Sequence, residues 1–360
     1  MKIGIVTIMD MGNYGNRLQN YAVCHLLKTY CGCQVDALNP IKEKKFNNGN
    51  YKAWLKEKIA MTLCSFSGAA ERRFGCKVTR AANFEKWNCN IPARTFYNTA
   101  KFSNQLDREY DCFLVGSDQV WNYHFAAEQF DDYFLKFAAP EKRNAICGSF
   151  GIEEIPEEWG KTYADALDQF AHISVREDAG VKIVKDLIGR DVPSLVDPVM
   201  MLSPEEWLRV AKKPRVDISK PYVLKYYLGD REKSQKIDKW AEKNGYVVYE
   251  LLNPKFPEIY SAGPGEFISL IRNAALVCSD SFHCVAFSII FSKPFVVFSR
   301  QGESYSMNSR LDTVMSKFGL DRWDYDLTED QYLICDYSHR EEDMKREQDK
   351  FMNYLKQIIV

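Results

Sequence analysis

The chain has 360 residues, 46% of them hydrophobic and 27% charged, with 48 Lys and Arg against 49 Asp and Glu for a net charge of −1. That length suits two ordinary globular domains, each able to bury its own core, and the even charge provides no field for nucleic acid. No apolar run reaches the roughly 20 residues of a membrane span, and the opening MKIGIVTIMDMG reads as a strand and a glycine turn instead of a signal peptide, so a cytoplasmic protein is expected.

Apolar strand-like runs alternate with helical patterns almost from end to end, the mark of an α/β protein with parallel sheets covered by helices. The expected strands of the first half are 2–8, 111–115, 144–148, 172–176 and 194–197; those of the second half are 221–228, 246–252, 275–279 and 294–298. Residues 1–205 then form one Rossmann-like domain and 221–339 a second, joined by a polar, proline-punctuated linker at 206–220. The charged amphipathic stretch 340–360 is expected as a helix that packs back on the first domain, offering Met344, Phe351, Tyr354, Leu355 and Ile358 on one face. Residues 42–80 stand apart, with ten basic residues against three acidic ones interleaved with aromatics. They suit a helical insertion with a solvated face or one touching anionic headgroups at a membrane surface.

Eleven cysteines fall mostly inside apolar runs, among them Cys112, Cys147 and Cys278, and are expected as buried thiols. Cys31 and Cys33 form a lone Cys-x-Cys without a second pair, and no HExxH is present, so no metal or cofactor is expected.

Polar residues gather where the strands end. After the first strand, Gly12, Asn13, Tyr14, Gly15 and Asn16 make a turn into a helix, whose free N–H groups favour an anion or a hydroxyl-rich ligand. This is neither GxGxxG nor a Walker loop, so a dinucleotide is not indicated, and His25 on the apolar face of the same helix reads as a core residue. Further clusters are Ser117, Asp118 and Gln119, the GSFG at 148–151, Arg176 and Glu177, Asp197, Gly229 and Asp230, Ser279 to His283, and Arg300. His283 sits in the short gap between a buried strand and an apolar helix, after Ser279, Asp280 and Ser281 at the helix start. A lone histidine there is as readily a structural donor to a backbone carbonyl. Clusters repeated at equivalent edges instead imply two sheets whose carboxyl ends face each other across a cleft. Its candidate charges are Arg176, Lys293, Arg300, Arg310 and His283, an excess of cations suited to a small, multiply charged anionic substrate and an acid/base step.

The ordered strings GNYGNRLQNYA, YDCFLVGSDQVWN, SFG, ISVRE, LVDPVMML, SDSFHCVAFSIIFSKPFVVF and NSRLDTVMSKFGL resemble the polysaccharide pyruvyl transferases over most of the chain. The resemblance implies a GT-B-like pair of Rossmann-like domains and transfer of the enolpyruvyl skeleton of phosphoenolpyruvate to a sugar as a pyruvate ketal, with release of phosphate. It puts the family's catalytic histidine on His283 and its phosphoenolpyruvate-binding arginine on Arg176. Other branches carry an arginine where this chain has Ser281 and an aspartate where it has Asn16. Arg300, Arg310 or Lys293 must then hold the donor's second anionic group. Gly12, Asn13, Asn16, Ser117, Asp118, Gln119 and Ser281 are the remaining substrate-binding candidates, and Glu177 or Asp118 the base. The implied partners are phosphoenolpyruvate and a sugar, nucleotide-sugar or lipid-linked oligosaccharide acceptor, with peripheral contact at the inner face of a membrane.

The main rival is a GT-B glycosyltransferase using a nucleotide sugar. Retaining members often carry paired glutamates near the donor site, whereas Glu303 is the only acidic residue between His283 and Arg310. A catalytically silent glycan-binding protein is the third reading.

Overall fold

The computed structural model describes residues 1–10, 12–41, 59, 75–97, 103–126, 129–229, 235–300 and 308–359. Most of the expected insertion at 42–80, the strand end at Asp230, and Glu303 lie outside the described residues.

The principal elements in chain order are β1 (Lys2–Val6), α1 (Tyr14–Thr29), β2 (Gln34–Ile41), α2 (Cys76–Asn88), β3 (Ala93–Tyr97), β4 (Cys112–Val115), β5 (Arg143–Ala145), α3 (Asp178–Ile188) and α4 (Pro204–Val210). The second half contributes β6 (Tyr222–Tyr226), β7 (Val247–Glu250), α5 (Pro264–Asn273), β8 (Leu276–Ser279), α6 (Phe282–Ile290), β9 (Phe295–Val297), α7 (Ser309–Lys317) and α8 (Arg340–Ile358).

Two all-parallel sheets result, ordered β3-β2-β1-β4-β5 and β7-β6-β8-β9. β4, β6 and β8 are buried at every residue, as sheets covered on both faces require, so their sequences read as mainly apolar runs, the exception being Lys225 in β6, whose ammonium group pairs with Asp238 at 2.8 Å. This is the two-sheet α/β architecture expected of the chain. Each sheet has one point where the chain reverses its direction of travel: between β1 and β4 in the first, and between β6 and β8 in the second. Ligands of open α/β sheets bind outside the carboxyl ends of the strands at such points.

The structure departs from the expected strands in two ways. β2 and β3 were not anticipated: QVDALNPI and ARTFY carry too many polar residues to read as buried strands, and Pro40 cannot donate to a ladder. The expected strands at 172–176 and 194–197 are reduced to isolated parallel bridges, His172 to Asn144, Val175 to Gly148 and Ser194 to Val175, which extend the first sheet beyond β5. α4 also straddles the expected boundary at 205. A Ser203–Glu206 capping box starts it, and Trp207 is buried with its indole N–H donated to the Val199 carbonyl, 2.9 Å away.

One apolar cluster passes from β1 and α1 through Trp207, α5 and α6 to β9 and α8, so the two sheets share a core. At its centre Tyr14 stacks on Phe267 with ring centroids 4.6 Å apart and donates its hydroxyl to the Ala262 carbonyl at 2.7 Å. The last helix buries Met344, Phe351, Tyr354, Leu355 and Ile358 and reaches the first sheet, where the Tyr354 hydroxyl donates to the Ala145 carbonyl at 2.6 Å. Among the described residues no helix is long and apolar enough to cross a membrane.

Candidate active site at the facing strand ends

The first wall of the site grows from β1 and β4. Asn13 caps α1, its side-chain oxygen accepting the Asn16 N–H at 3.3 Å, and this aims Asn16 toward the end of β4. There the chain turns through Gly116, at φ 111°, where a Cβ would stand 2.2 Å from the Ile146 carbonyl oxygen. Only glycine fits that passage. Asp118 follows. Its carboxylate accepts from the Asn16 amide through one oxygen and from Arg176 at 3.1 Å through the other. Ser117 donates its hydroxyl to Asp197 at 2.7 Å.

Arg176 is 2% exposed and held at both terminal nitrogens. One terminal nitrogen meets Asp197 at 2.9 Å, the other meets Asp118, Glu177 stands 4.0 Å from Nε, and the guanidinium carbon lies 4.3 Å from the Phe282 ring centroid. Its pKa is raised despite burial, because three carboxylates surround it. In this conformation both terminal nitrogens of the expected donor-binding arginine face carboxylates, while its Nε has no hydrogen-bond partner among the described residues. The expectation for Glu177 as a base also changes: one of its oxygens accepts from Ser149 Oγ and from the Phe150 and Gly151 N–H groups at 2.8–3.0 Å. It holds the GSFG turn.

Asp197 was visible in the sequence only as a strand end. In the structure its Oδ1 accepts the Val199 N–H, capping the short turn Pro198–Met201, while Oδ2 takes Ser117 and Arg176 and faces His283 Nε2 at 3.7 Å. Burial alone would push both aspartate carboxyls up. For Asp197 the nearby His283, Arg176 and Ser117 more than offset burial, and for Asp118 the charges of Arg176, His283 and Arg310 do so; both stay below the usual range.

The second wall belongs to β6, β8 and their successors. Ser281 occupies the cap position of α6 with extended backbone, and every residue of the helix is buried, which fits its all-round apolar sequence. His283, its second residue, is 6% exposed, and its Nε2 has no hydrogen-bond partner. The imidazole lies against Gly15 of α1, beside the first sheet, where a Cβ would come 2.1 Å from Nδ1. Asp280 accepts the Leu228 and Gly229 N–H groups, each at 2.8 Å, and stands 3.7 Å from Arg300 Nε, which it orients at the rim.

Arg310, the second residue of α7, completes this wall. It is 6% exposed and buried without a hydrogen-bond or ion-pair partner among the described residues. Burial first, then the neighbouring Arg176 and Arg300, pushes its pKa down to about 10, against the opposing pull of Asp118 and Glu177. It remains charged at neutral pH, and an anion beside it would relieve the repulsion.

The remaining candidates divide by position. Gly12 is exposed and anchors the turn, its carbonyl accepting from Arg80 at 2.7 Å. The Gln119 side chain accepts from Asn122 at 2.8 Å beside the same β4 turn. Lys293 does not join the site: it lies beyond the carboxyl end of α6, roughly 13 Å of helix from His283, on the opposite edge of the sheet. Gly15 and Asp197, read from the sequence only as part of a turn and a strand end, and Phe282 are contributors to which the sequence assigned no role. Their spacing in the chain gave no sign that they meet.

The candidate residues thus meet at the facing strand ends of two parallel sheets in an α/β fold. The chain belongs to the polysaccharide pyruvyl transferase family, whose model matches residues 13–302. No curated protein matches the sequence. Similar solved structures include the N-terminal domain of Candida albicans trehalose-6-phosphate phosphatase (9% identity, 98% of this chain and 93% of that one, TM-score 0.46). Others are E. coli ADP-heptose LPS heptosyltransferase II (12%, 97% and 99%, 0.37) and Anabaena HepE in complex with UDP (12%, 99% and 98%, 0.43). Likeness at this level bears only on the course of the chain.

Proposed function

We propose that this transferase moves the pyruvyl skeleton of phosphoenolpyruvate onto two hydroxyls of a sugar in a cell-surface polysaccharide or its precursor, as a ketal, with release of phosphate. The observation that carries the reading is Arg310, buried at the facing strand ends without a hydrogen-bond or ion-pair partner among the described residues, with the buried His283 on the same wall, in a member of the pyruvyl transferase family. A donor with a carboxylate and a phosphate matches Arg310 and the rim arginine Arg300. The amide and hydroxyl groups at the end of β4 and the start of α1 suit the hydroxyls of the acceptor.

Protonated His283 gives its proton to the methylene carbon, whose π electrons form the new C–H bond and leave C2 as an oxocarbenium-like centre. A sugar hydroxyl adds to C2 and returns a proton to His283. The C2–O bond to phosphate then breaks, with the cations offsetting the charge on the leaving group. A second hydroxyl closes the ketal, and its proton leaves with the phosphate. No proton is consumed overall.

A thermal unfolding titration with phosphoenolpyruvate against UDP- and GDP-sugars tests the donor. Ligand at about 100 times its dissociation constant stabilises the native state by roughly 2.7 kcal/mol, a clear midpoint shift. A shift with phosphoenolpyruvate is expected, followed by phosphate release with a sugar acceptor that falls about 100-fold or more in His283→Gln. A shift with a nucleotide sugar alone would overturn the reading in favour of glycosyl transfer.

A further inference from the structure

The proton donor of the proposed reaction and its nearest carboxylate come from different domains. His283 is on α6 of the second sheet, yet the groups that bound its ring on two sides belong to the first: Asp197 Oδ2 at 3.7 Å from Nε2, and the bare Cα of Gly15 against Nδ1. Asp197 is itself immobilised. It is fully buried, and its two oxygens are fixed by Val199 N–H at 3.1 Å, Ser117 Oγ at 2.7 Å and Arg176 at 2.9 Å. Arg176 in turn lies over the ring of Phe282, the residue beside His283, so the same carboxylate cluster grips the start of α6 at two adjacent positions. The two domains are also tied close by, where Asp178 N–H donates to Thr313 Oγ1 on the helix that carries Arg310, at 3.1 Å.

We infer that Asp197 is the positioning residue for this transfer: from the opposite domain it sets the orientation of His283, with Gly15 leaving room for the imidazole where it stands. The inference rests on the phosphoenolpyruvate reading for its catalytic consequence, but not for its geometry. A carboxylate facing one ring nitrogen directs an N–H there, and so fixes which nitrogen is left for other work. The arrangement also explains the glycine at position 15, the second residue of a helix, where alanine would otherwise be the better helix former. Any side chain there would push the ring out of its place. Arg176, Ser117 and Val199 then act at one remove, by holding the carboxylate.

The test combines a readout that needs no donor with one that does. Imidazole 15N spectra of the unliganded wild type, with the His283 signals assigned by their loss in His283→Gln, report the tautomer and environment of the ring. In Asp197→Asn and in Gly15→Ala these signals should move while the other histidines stay in place. With phosphoenolpyruvate, both variants should keep a dissociation constant within about 3-fold of wild type by calorimetry and lose about 10-fold or more in phosphate release, a loss in kcat and not in KM. Unchanged His283 signals in both variants, or an equal loss of binding and release, would overturn the inference. If Asp197→Asn does not fold, Gly15→Ala decides alone, since it removes no hydrogen bond. Wild type that binds no phosphoenolpyruvate would sink the donor reading, while the spectra still decide whether Asp197 and Gly15 hold the ring.

Discussion

Arg176 and Arg310 are two buried guanidinium groups of one site, and they differ in almost every energetic respect. Arg176, on the first wall, has two carboxylates within 3.1 Å, a third at 4.0 Å and an aromatic ring beneath it. Arg310, on the second wall, has no such partner among the described residues, and burial together with Arg176 and Arg300 outweighs the pull of Asp118 and Glu177 on it. A paired buried charge stabilises the fold it is built into, whereas an unpaired one costs stability and keeps its interaction for a ligand. The comparison separates the wall that holds the site together from the wall that is prepared to bind.

The sharpest way to break that contrast is to remove each arginine in turn. Arg176→Ala leaves Asp118 and Asp197 buried without their cation and should lower stability by about 3–5 kcal/mol, measured by urea unfolding. If the variant were as stable as wild type and had lost only ligand binding, Arg176 would be a donor arginine after all. Arg310→Met should do the opposite, raising the unliganded stability by about 1 kcal/mol or more while abolishing the midpoint shift with phosphoenolpyruvate. A destabilised Arg310→Met that still bound the donor would place the free cation elsewhere.

The smallest effect is the acid limb of stability. Asp118 and Asp197 have folded-state pKa values below their unfolded ones, so they stabilise the fold above the unfolded carboxylate range, near pH 4, and that contribution is lost as pH falls through the folded values. Unfolding free energy should therefore drop below about pH 4 in wild type, and by less in Asp118→Asn. A parallel fall in both proteins would mean that the cluster does not depress this carboxyl.

Much of this was legible along the chain, because parallel sheets make their strands read as apolar runs and place polar residues at the strand ends. β1, β4, β6, β8 and β9 announce themselves in that way, as do the turns at Gly12–Asn16 and Ser279–His283. β2 and β3 do not, since their polar residues and Pro40 hide a pattern that only pairing with β1 rescues. The buried face of α8 was plain from its spacing, because a helix repeats every 3.6 residues whatever it packs against.

What the sequence alone determined, then, is the class of fold, the family and the short set of polar residues from which a site must be built, all properties carried by local pattern and ordered motifs. Which of those residues pair was decided by the tertiary structure. Charge is a property of a residue, but its availability depends on neighbours far along the chain, 21 positions away for Arg176 and Asp197, 58 for Arg176 and Asp118, and 80 for Asp197 and Ser117. Only the meeting of the two sheets put Asp197 beside His283, set the imidazole against Gly15, paired Arg176 with two aspartates and left Arg310 without a partner among the described residues.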